Sequence, residues 1–421
     1  MADGSVLVTK EARDAAYSIP LADLNPAQPS LFQNDAMWPV FERLRKEDPI
    51  HYTAQSDYGP YWSITKFNDI MAVETNHQVF SSESSLGGIT VAGQGGMEDP
   101  LRMFIAMDPP KHDVQRKTVS PIVSPHNLTI LEPLIRERAG QILDGLPIGE
   151  EFDWVDKVSM ELTAMTLATL FDFPFEDRRK LTLWSDAITG IPGQSFLKSM
   201  EEKQMLIQQC FAAFTQLWNE RVNAPPKGDL VSMLAHGEAT RNMEPREYHG
   251  NVILLIVGGN DTTRNTITGS VLALNQNPDQ YAKLRARPEL IPSMVSETIR
   301  WQTPLAHMRR TAVQDYELNG KLIKKGDKVV MWYVSGNRDE EVIDNPNAYI
   351  IDRERPRHHI SFGFGIHRCV GNRLAELQLK IIWEEIMKRF PTVTVVGEPK
   401  RNYSAFVKGY ESLRVVIPSR L

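Results

Sequence analysis

Along much of this chain apolar residues recur every three or four positions, the spacing that gathers them on one face of an α-helix. That pattern predicts helices over Trp38–Glu47, Leu128–Leu143, Val155–Leu170, Glu201–Val222, His249 to about Asn275, Leu290–Gln302 and Leu374–Phe390. Pro109-Pro110 opens a further helix, and from Lys111 to Gly269 the periodicity is nearly all helical. Alternation takes over elsewhere. Ile50–Thr65 alternates around Tyr58-Gly59-Pro60 and reads as a hairpin. Val313–Val334 turns β-like, with turns at Asn319-Gly320 and Lys325-Gly326-Asp327. Thr392–Val396 and Leu413–Ile417 read as strands, and Asn223–Gly228 as a loop. Residues 1–33 are polar and Pro-containing, an expected extended arm. No later connection is long enough to separate two folds, and no internal repeat interrupts the pattern. The expectation is a mostly α protein with a small β region, residues 34–421 forming one large domain.

Composition narrows the classes. The chain has 421 residues and is 42% hydrophobic, enough for a sizeable core. Lys and Arg number 47 against 53 Asp and Glu, a mildly acidic balance that does not suggest a nucleic-acid partner. Its 2 cysteines make no disulfide framework, which fits a reducing cytoplasm. Met1–Lys10 lacks the apolar core of a secretion signal, and no stretch approaches the roughly 18–20 apolar residues of a membrane span. The expected location is cytoplasmic.

Four constellations carry chemistry. The first surrounds Cys369, in the run Phe362-Gly-Phe-Gly365-Ile-His367-Arg-Cys369-Val-Gly371, just before a predicted helix. A helix N-terminus and the neighbours His367 and Arg368 would lower a thiol pKa. The glycines free backbone N–H groups to face the sulfur and let a flat cofactor lie on it, as a thiolate-ligated haem requires. A lone cysteine is otherwise a small buried hydrophobe, which is the reading for Cys210. The second constellation, Gly258-Gly259-Asn260-Asp261-Thr262-Thr263, interrupts an apolar helix. Mid-helix glycines cost about 1 kcal/mol each against alanine, so something must offset them. A gap there would admit a small molecule, and an acid beside a hydroxyl can relay protons; a plain helix cap is the alternative. The third is Glu297-Thr-Ile-Arg300, whose i,i+3 pair gains meaning from the arginines of Asp352-Arg353-Glu354-Arg355. The fourth is His112…Arg116, on one helix face, which with Arg310 and His367 forms a set of donors suited to haem propionates.

Together these motifs resemble the cytochrome P-450 monooxygenases, over essentially all of the chain from Trp38 to Leu421. The resemblance implies a triangular, mainly helical fold with haem b between the long central helix and the Cys369 helix, and dioxygen as co-substrate. Cys369 would be the axial ligand to the iron. Asp261 and Thr262 would relay protons to dioxygen, with Gly258 and Gly259 giving it room. His112, Arg116, Arg310 and His367 would hold the propionates, and Phe362, Gly365 and Gly371 would shape the loop against the haem. Glu297 and Arg300 would pair with Arg353 in preference to Arg355.

The run from His359 to Leu379 and the phrase Pro304-Leu-Ala-His-Met-Arg-Arg-Thr-Ala312 are similar to those of bacterial terminal alkane and fatty-acid hydroxylases. An apolar lining is implied: Leu86, Ile89, Val91, Leu254, Leu255, Val257, Leu305, Ala306, Met308, Phe406 and Val407. It would bind an alkyl chain through roughly 0.8 kcal/mol per buried methylene. Residues 84–97, glycine-rich but carrying three of these, read equally as a substrate-covering loop or a plain surface loop. No flavin or iron–sulfur segment is present, so electrons would come from a small ferredoxin and an NAD(P)H-dependent reductase. The docking face would gather Arg368, Arg373, Lys380, Lys111 and Lys117. Two other readings stand beside terminal hydroxylation. One is a hydroxylase of terpenes, steroid side chains or methyl-branched lipids; the other is a haem-thiolate binding protein without turnover.

Overall fold

The computed structural model describes residues 9–93 and 101–421. Its helices, in chain order, are α1 (Lys10–Ser18), α2 (Pro29–Gln33), α3 (Trp38–Glu47), α4 (Phe67–Thr75), α5 (Lys111–Val119), α6 (Pro125–Asp144), α7 (Met160–Phe171), α8 (Arg178–Thr189), α9 (Met200–Val222), α10 (Leu230–His236), α11 (Pro245–Gln276), α12 (Pro278–Ala286), α13 (Ile291–Gln302), α14 (Tyr333–Gly336) and α15 (Asn372–Arg389). The periodic segments of the sequence all lie within these, with boundaries shifted by a few residues. Val155–Ser159 forms a π turn leading into α7.

The longest helix is also the most enclosed. α11 runs 32 residues and is buried nearly all round from Asn260 to Leu274, packed against α7, α8, α13 and α15. Its buried polar residues, Asn260, Asp261, Arg264 and Asn265 among them, meet neighbouring elements rather than solvent, which places the helix at the centre of its domain. Leu162, Phe171, Ile256, Ile267, Val271, Leu379 and Trp383 are among the residues of this main core. The Trp383 indole donates to the Ser270 hydroxyl at 2.7 Å, joining α15 to α11 without leaving a buried polar group unpaired.

The strands are β1 (Ile50–Thr53), β2 (Tyr61–Ile64), β3 (Phe80–Ser81), β4 (Glu151–Asp153), β5 (Met308–Ala312), β6 (Tyr316–Leu318), β7 (Lys321–Ile323), β8 (Lys328–Met331), β9 (Thr394–Val395), β10 (Lys400–Arg401), β11 (Tyr410–Ser412) and β12 (Arg414–Val416). The main sheet has the order β1-β2-β8-β5-β3, with β2 and β8 parallel and the other pairs antiparallel. β1 and β2 are the expected hairpin, and β6 and β7 flank the Asn319-Gly320 turn.

The expected extended arm is corrected over residues 9–33. Thr9 caps α1 by accepting from the Ala12 N–H, and Leu24, Ala27 and Phe32 are buried in a second core with Phe41 and Trp332. Those few apolar residues are spaced too irregularly to announce a helix, yet each finds a slot beside the sheet. Residues 1–8 lie outside the described ones. Among the described residues no helix is long and apolar enough to cross a membrane.

Candidate active site

The loop from Phe362 to Gly371 turns tightly because its glycines allow it. Gly363 and Gly365 have φ of 66° and 65°. A Cβ on Gly365 would come within 2.5 Å of the Glu74 carbonyl oxygen. Gly365 therefore seats the loop on α4, outside the residues that line the cavity. Gly363 lies in the wall. The Cys369 N–H donates to Phe362 O at 2.8 Å, closing the loop on itself.

Cys369 opens onto a cavity of about 650 Å³ between this loop and α11. Cys210, by contrast, is buried in α9, its thiol pushed up to about 12 by desolvation. The expectation of a low Cys369 pKa is corrected. Its accessible surface faces the cavity rather than bulk water, so desolvation raises the thiol. A backbone hydrogen bond involving Gly371 and the charges of Arg116 and Arg368 oppose that rise without overcoming it. A metal at the sulfur would deprotonate it.

The residues at this end of the cavity fit a flat, dianionic, metal-bearing cofactor. His112 Nε2 and both ring nitrogens of His367 are buried without a partner, in rings whose centroids are 4.3 Å apart. Burial lowers the pKa of both. Arg116 and Arg310 line the same edge. Arg116 donates to Arg368 O at 2.6 Å, and Arg310 is held at 2.8 Å by the buried Glu74 carboxylate, which also accepts from the Tyr333 hydroxyl. Across the cavity the Cβ positions of Gly258 and Gly371 are open space. These are unpaired donors and missing side chains where a haem needs them.

On α11 the acid and the hydroxyl part company. The helix is continuous through Gly258–Thr263, so Asp261 does not cap a second helix. Thr262 faces the cavity and its hydroxyl donates to Gly258 O at 2.8 Å. Gly259 packs on α7, where a Cβ would meet Leu167 at 2.8 Å. Asp261 is fully buried toward α8, outside the cavity wall. It accepts from Ser185 (2.9 Å), Thr189 (3.2 Å), Asn260 (2.8 Å) and Arg264 (3.2 Å). Burial raises its pKa, and the Arg264 guanidinium opposes the rise. Of these four partners Thr189 also lines the cavity. Ser185, Thr189 and Arg264 carry no signal in the sequence that would have drawn them to this carboxylate.

A family model described as Cytochrome P450 matches residues 287–409. Linalool 8-monooxygenase of Pseudomonas putida is 37% identical over 402 residues, covering 92% of this chain and 97% of that protein. The chain belongs to the cytochrome P450 family. The solved structure of cytochrome P450-153 from Novosphingobium aromaticivorans superposes with a TM-score of 0.87 at 45% identity, covering 93% of this chain and 98% of that one. A methyl-branched lipid omega-hydroxylase of Mycobacterium bovis is 29% identical over 412 residues, 94% of this chain and 95% of that protein. The P450 is therefore a monooxygenase that carries haem on a cysteine thiolate and uses dioxygen as co-substrate.

In this P450 Glu297 and Arg300 are fully buried and Arg353 reaches them from a partly buried position. Arg300 forks onto Glu297 at 2.7 and 2.8 Å, and Arg353 Nε donates to it at 2.9 Å. Arg353, not Arg355, reaches the carboxylate. The Ile350 N–H adds a fourth donor at 2.8 Å.

Of the expected apolar lining, Ile89, Val91, Leu254, Leu255, Val257, Leu305, Met308 and Phe406 do face the cavity. Leu86, Ala306 and Val407 do not. Leu86 is 42% exposed, turned outward ahead of Gly87. Ala306 and Val407 are buried outside the cavity wall. The wall also holds Leu101, Phe104, Ile188, Ile191, Lys203 and Ile207, which nothing in the sequence marked.

The covering loop is pinned from beneath. The Arg309 guanidinium donates to Leu86 O (2.9 Å) and Gly87 O (3.2 Å), and a Cβ on Gly87 or Gly93 would collide with it. His307 Nε2 accepts the Val91 N–H at 3.1 Å, while Nδ1 donates to Ala405 O at 2.9 Å. Lys328 donates to Val91 O at 3.1 Å. The remainder of the 84–97 segment, from residue 94 on, lies outside the described residues.

Proposed function

We propose that this P450 hydroxylates the terminal carbon of a medium-chain alkane or fatty acid, with Cys369 as the axial thiolate. The observation that carries this reading is the aliphatic wall on the α11 side of the cavity. Ile89, Val91, Leu254, Leu255, Val257 and Leu305 face inward there, and among the described lining residues no aspartate or glutamate does. Such a wall binds a hydrocarbon chain by burial and offers little to recognise a ring of hydroxyls. The similarity to an omega-hydroxylase supports the same reading.

Bound at Cys369, the haem supplies dioxygen activation. His112, Arg116, Arg310 and His367 hold its propionates. The open space at Gly258 would leave room for a small molecule beside the haem, and Thr262 would hold a hydroxyl proton at the cavity face of α11. Asp261 recharges that site from behind, with Thr189 as the hydroxyl in contact with both the acid and the cavity. The apolar wall excludes water and admits the chain end.

Electrons come from a ferredoxin and its NAD(P)H-dependent reductase, docking over the Cys369 side. Arg368, Arg373 and Lys117 are exposed there. Lys111 is tied to Glu247 at 2.6 Å and Lys380 lies 3.7 Å from Glu384, so those two contribute less charge to the face.

The similarity to a linalool monooxygenase favours a second reading, a terpene substrate. One experiment separates them: product positions from octane, octanoic acid and a monoterpene with surrogate redox partners. Predominant 1-octanol supports terminal chain hydroxylation. Turnover of the monoterpene alone overturns it.

A further inference from the structure

Among the described residues, the lining contains one charged side chain away from the haem edge, and it belongs to α9. Lys203 faces the cavity beside Ile188, Ile191 and Ile207. Its ammonium donates to Ile188 O at 3.0 Å and Gly190 O at 2.9 Å, the carbonyls that end α8. A lysine ammonium has three N–H donors, so one is left over. No carboxylate of the described residues pairs with it: Asp186 on the neighbouring helix is taken by Arg264 at 2.7 Å, and Glu202 accepts from the Lys198 N–H. Burial alone acts on the group and lowers its pKa.

We propose that Lys203 is the anchor for the carboxylate of a fatty-acid substrate, whose far end then reaches the Cys369 side. The inference rests on the terminal-hydroxylation reading and chooses the acid over the alkane. An ammonium kept among isoleucines with a spare donor offers a charge-assisted hydrogen bond that an alkane cannot use. Among the described residues lining the α8–α9 side, Lys203 is the one cation and none is acidic, so an anion entering there meets that ammonium. The two carbonyl bonds hold the ammonium in place before the acid arrives, which reduces the ordering cost of binding. Capping the end of α8 is the competing role for Lys203, since the last turn of α8 has no basic residue of its own.

The two roles separate experimentally. Calorimetric titration of the haem-loaded enzyme with decanoic acid, methyl decanoate and decane is compared for wild type, Lys203→Gln and Lys203→Arg. Glutamine keeps an N–H for the α8 carbonyls and removes the charge. The expected result for Lys203→Gln is about tenfold weaker binding of decanoic acid with the ester and alkane unchanged, and recovery in Lys203→Arg. Equal weakening for all three ligands, or no change for the acid, overturns the anchor. Product position from octane in the wild-type enzyme is read separately. Internal alcohols from octane would sink terminal hydroxylation while leaving the Lys203 binding result intact.

Discussion

The two ends of the cavity are built by opposite strategies. At the Cys369 end, ten consecutive residues form the loop, and its partners His112, Arg116 and Arg310 are polar groups held by hydrogen bonds of fixed direction. At the far end, the wall is assembled from residues 89–93, the 101–105 segment, the ends of α8 and α9, the middle of α11 and the 404–406 turn. Those pieces present mostly apolar side chains, whose contacts with a ligand have no fixed direction. The cofactor end is therefore specified residue by residue, and the substrate end is specified by shape. Change at the first should abolish a property; change at the second should shift a preference.

The largest expected effect tests the first half of that contrast. Cys369→Ser should abolish the absorbance band of the reduced carbon-monoxide complex that gives the family its name, and its retention would remove Cys369 from the ligand role. Next comes the Glu297 network. Glu297→Ala strands two arginines, one of them wholly buried, and should cost about 3–5 kcal/mol in denaturant unfolding. Arg355→Ala, outside the network, should stay within about 0.5 kcal/mol. Comparable losses in the two variants would contradict the buried triad.

A third prediction concerns the boundary between the two ends. Thr262→Ala should leave substrate affinity unchanged while product formed per NADH consumed falls by about tenfold and peroxide accumulates. Unchanged coupling would count against the relay.

Acid should loosen the substrate end. His307 is buried with its pKa lowered to about 4, against an ordinary value near 6.5. Between those values the unfolded chain takes up the proton and the folded chain does not. Its contribution is thus present above about pH 6.5 and is lost as pH falls toward 4, at up to about 1.4 kcal/mol per pH unit. His307→Asn should flatten the fall in thermal midpoint across that window; an unaltered slope would assign it to other groups. The smallest effect is at Gly258. With open space at its Cβ, Gly258→Ala should raise stability by up to about 1 kcal/mol through helix propensity. It should also weaken binding of ligands in the cavity. Destabilisation would mean that α11 needs the glycine for its own backbone.

Much of this was readable before any coordinates. The helix of Trp38–Glu47 is bounded by its own residues, Pro39 in its first turn and Asp48-Pro49 at its end, so local chemistry alone delimits it. Glu297 and Arg300 share a helix face at any tertiary arrangement. Other readings were incomplete for a common reason. Asp261 and Thr262 are adjacent in sequence, but successive helix positions diverge by about 100°, and only the packing of α8 decides which one meets the cavity. The low pKa expected for Cys369 counted the charges near it in sequence and omitted the desolvation that a closed cavity imposes.

Periodicity by itself determined that this chain is mainly helical, because it acts through neighbours a few residues apart, and the motifs around His112, Asp261, Glu297 and Cys369, through the family resemblance they carry, pointed to a haem-thiolate protein. Tertiary structure decided that Arg353 closes the Glu297 network, that Leu86, Ala306 and Val407 leave the cavity wall, and that Lys203 enters it. Each of those outcomes depends on which face of one element meets another, and that choice is made by tertiary packing.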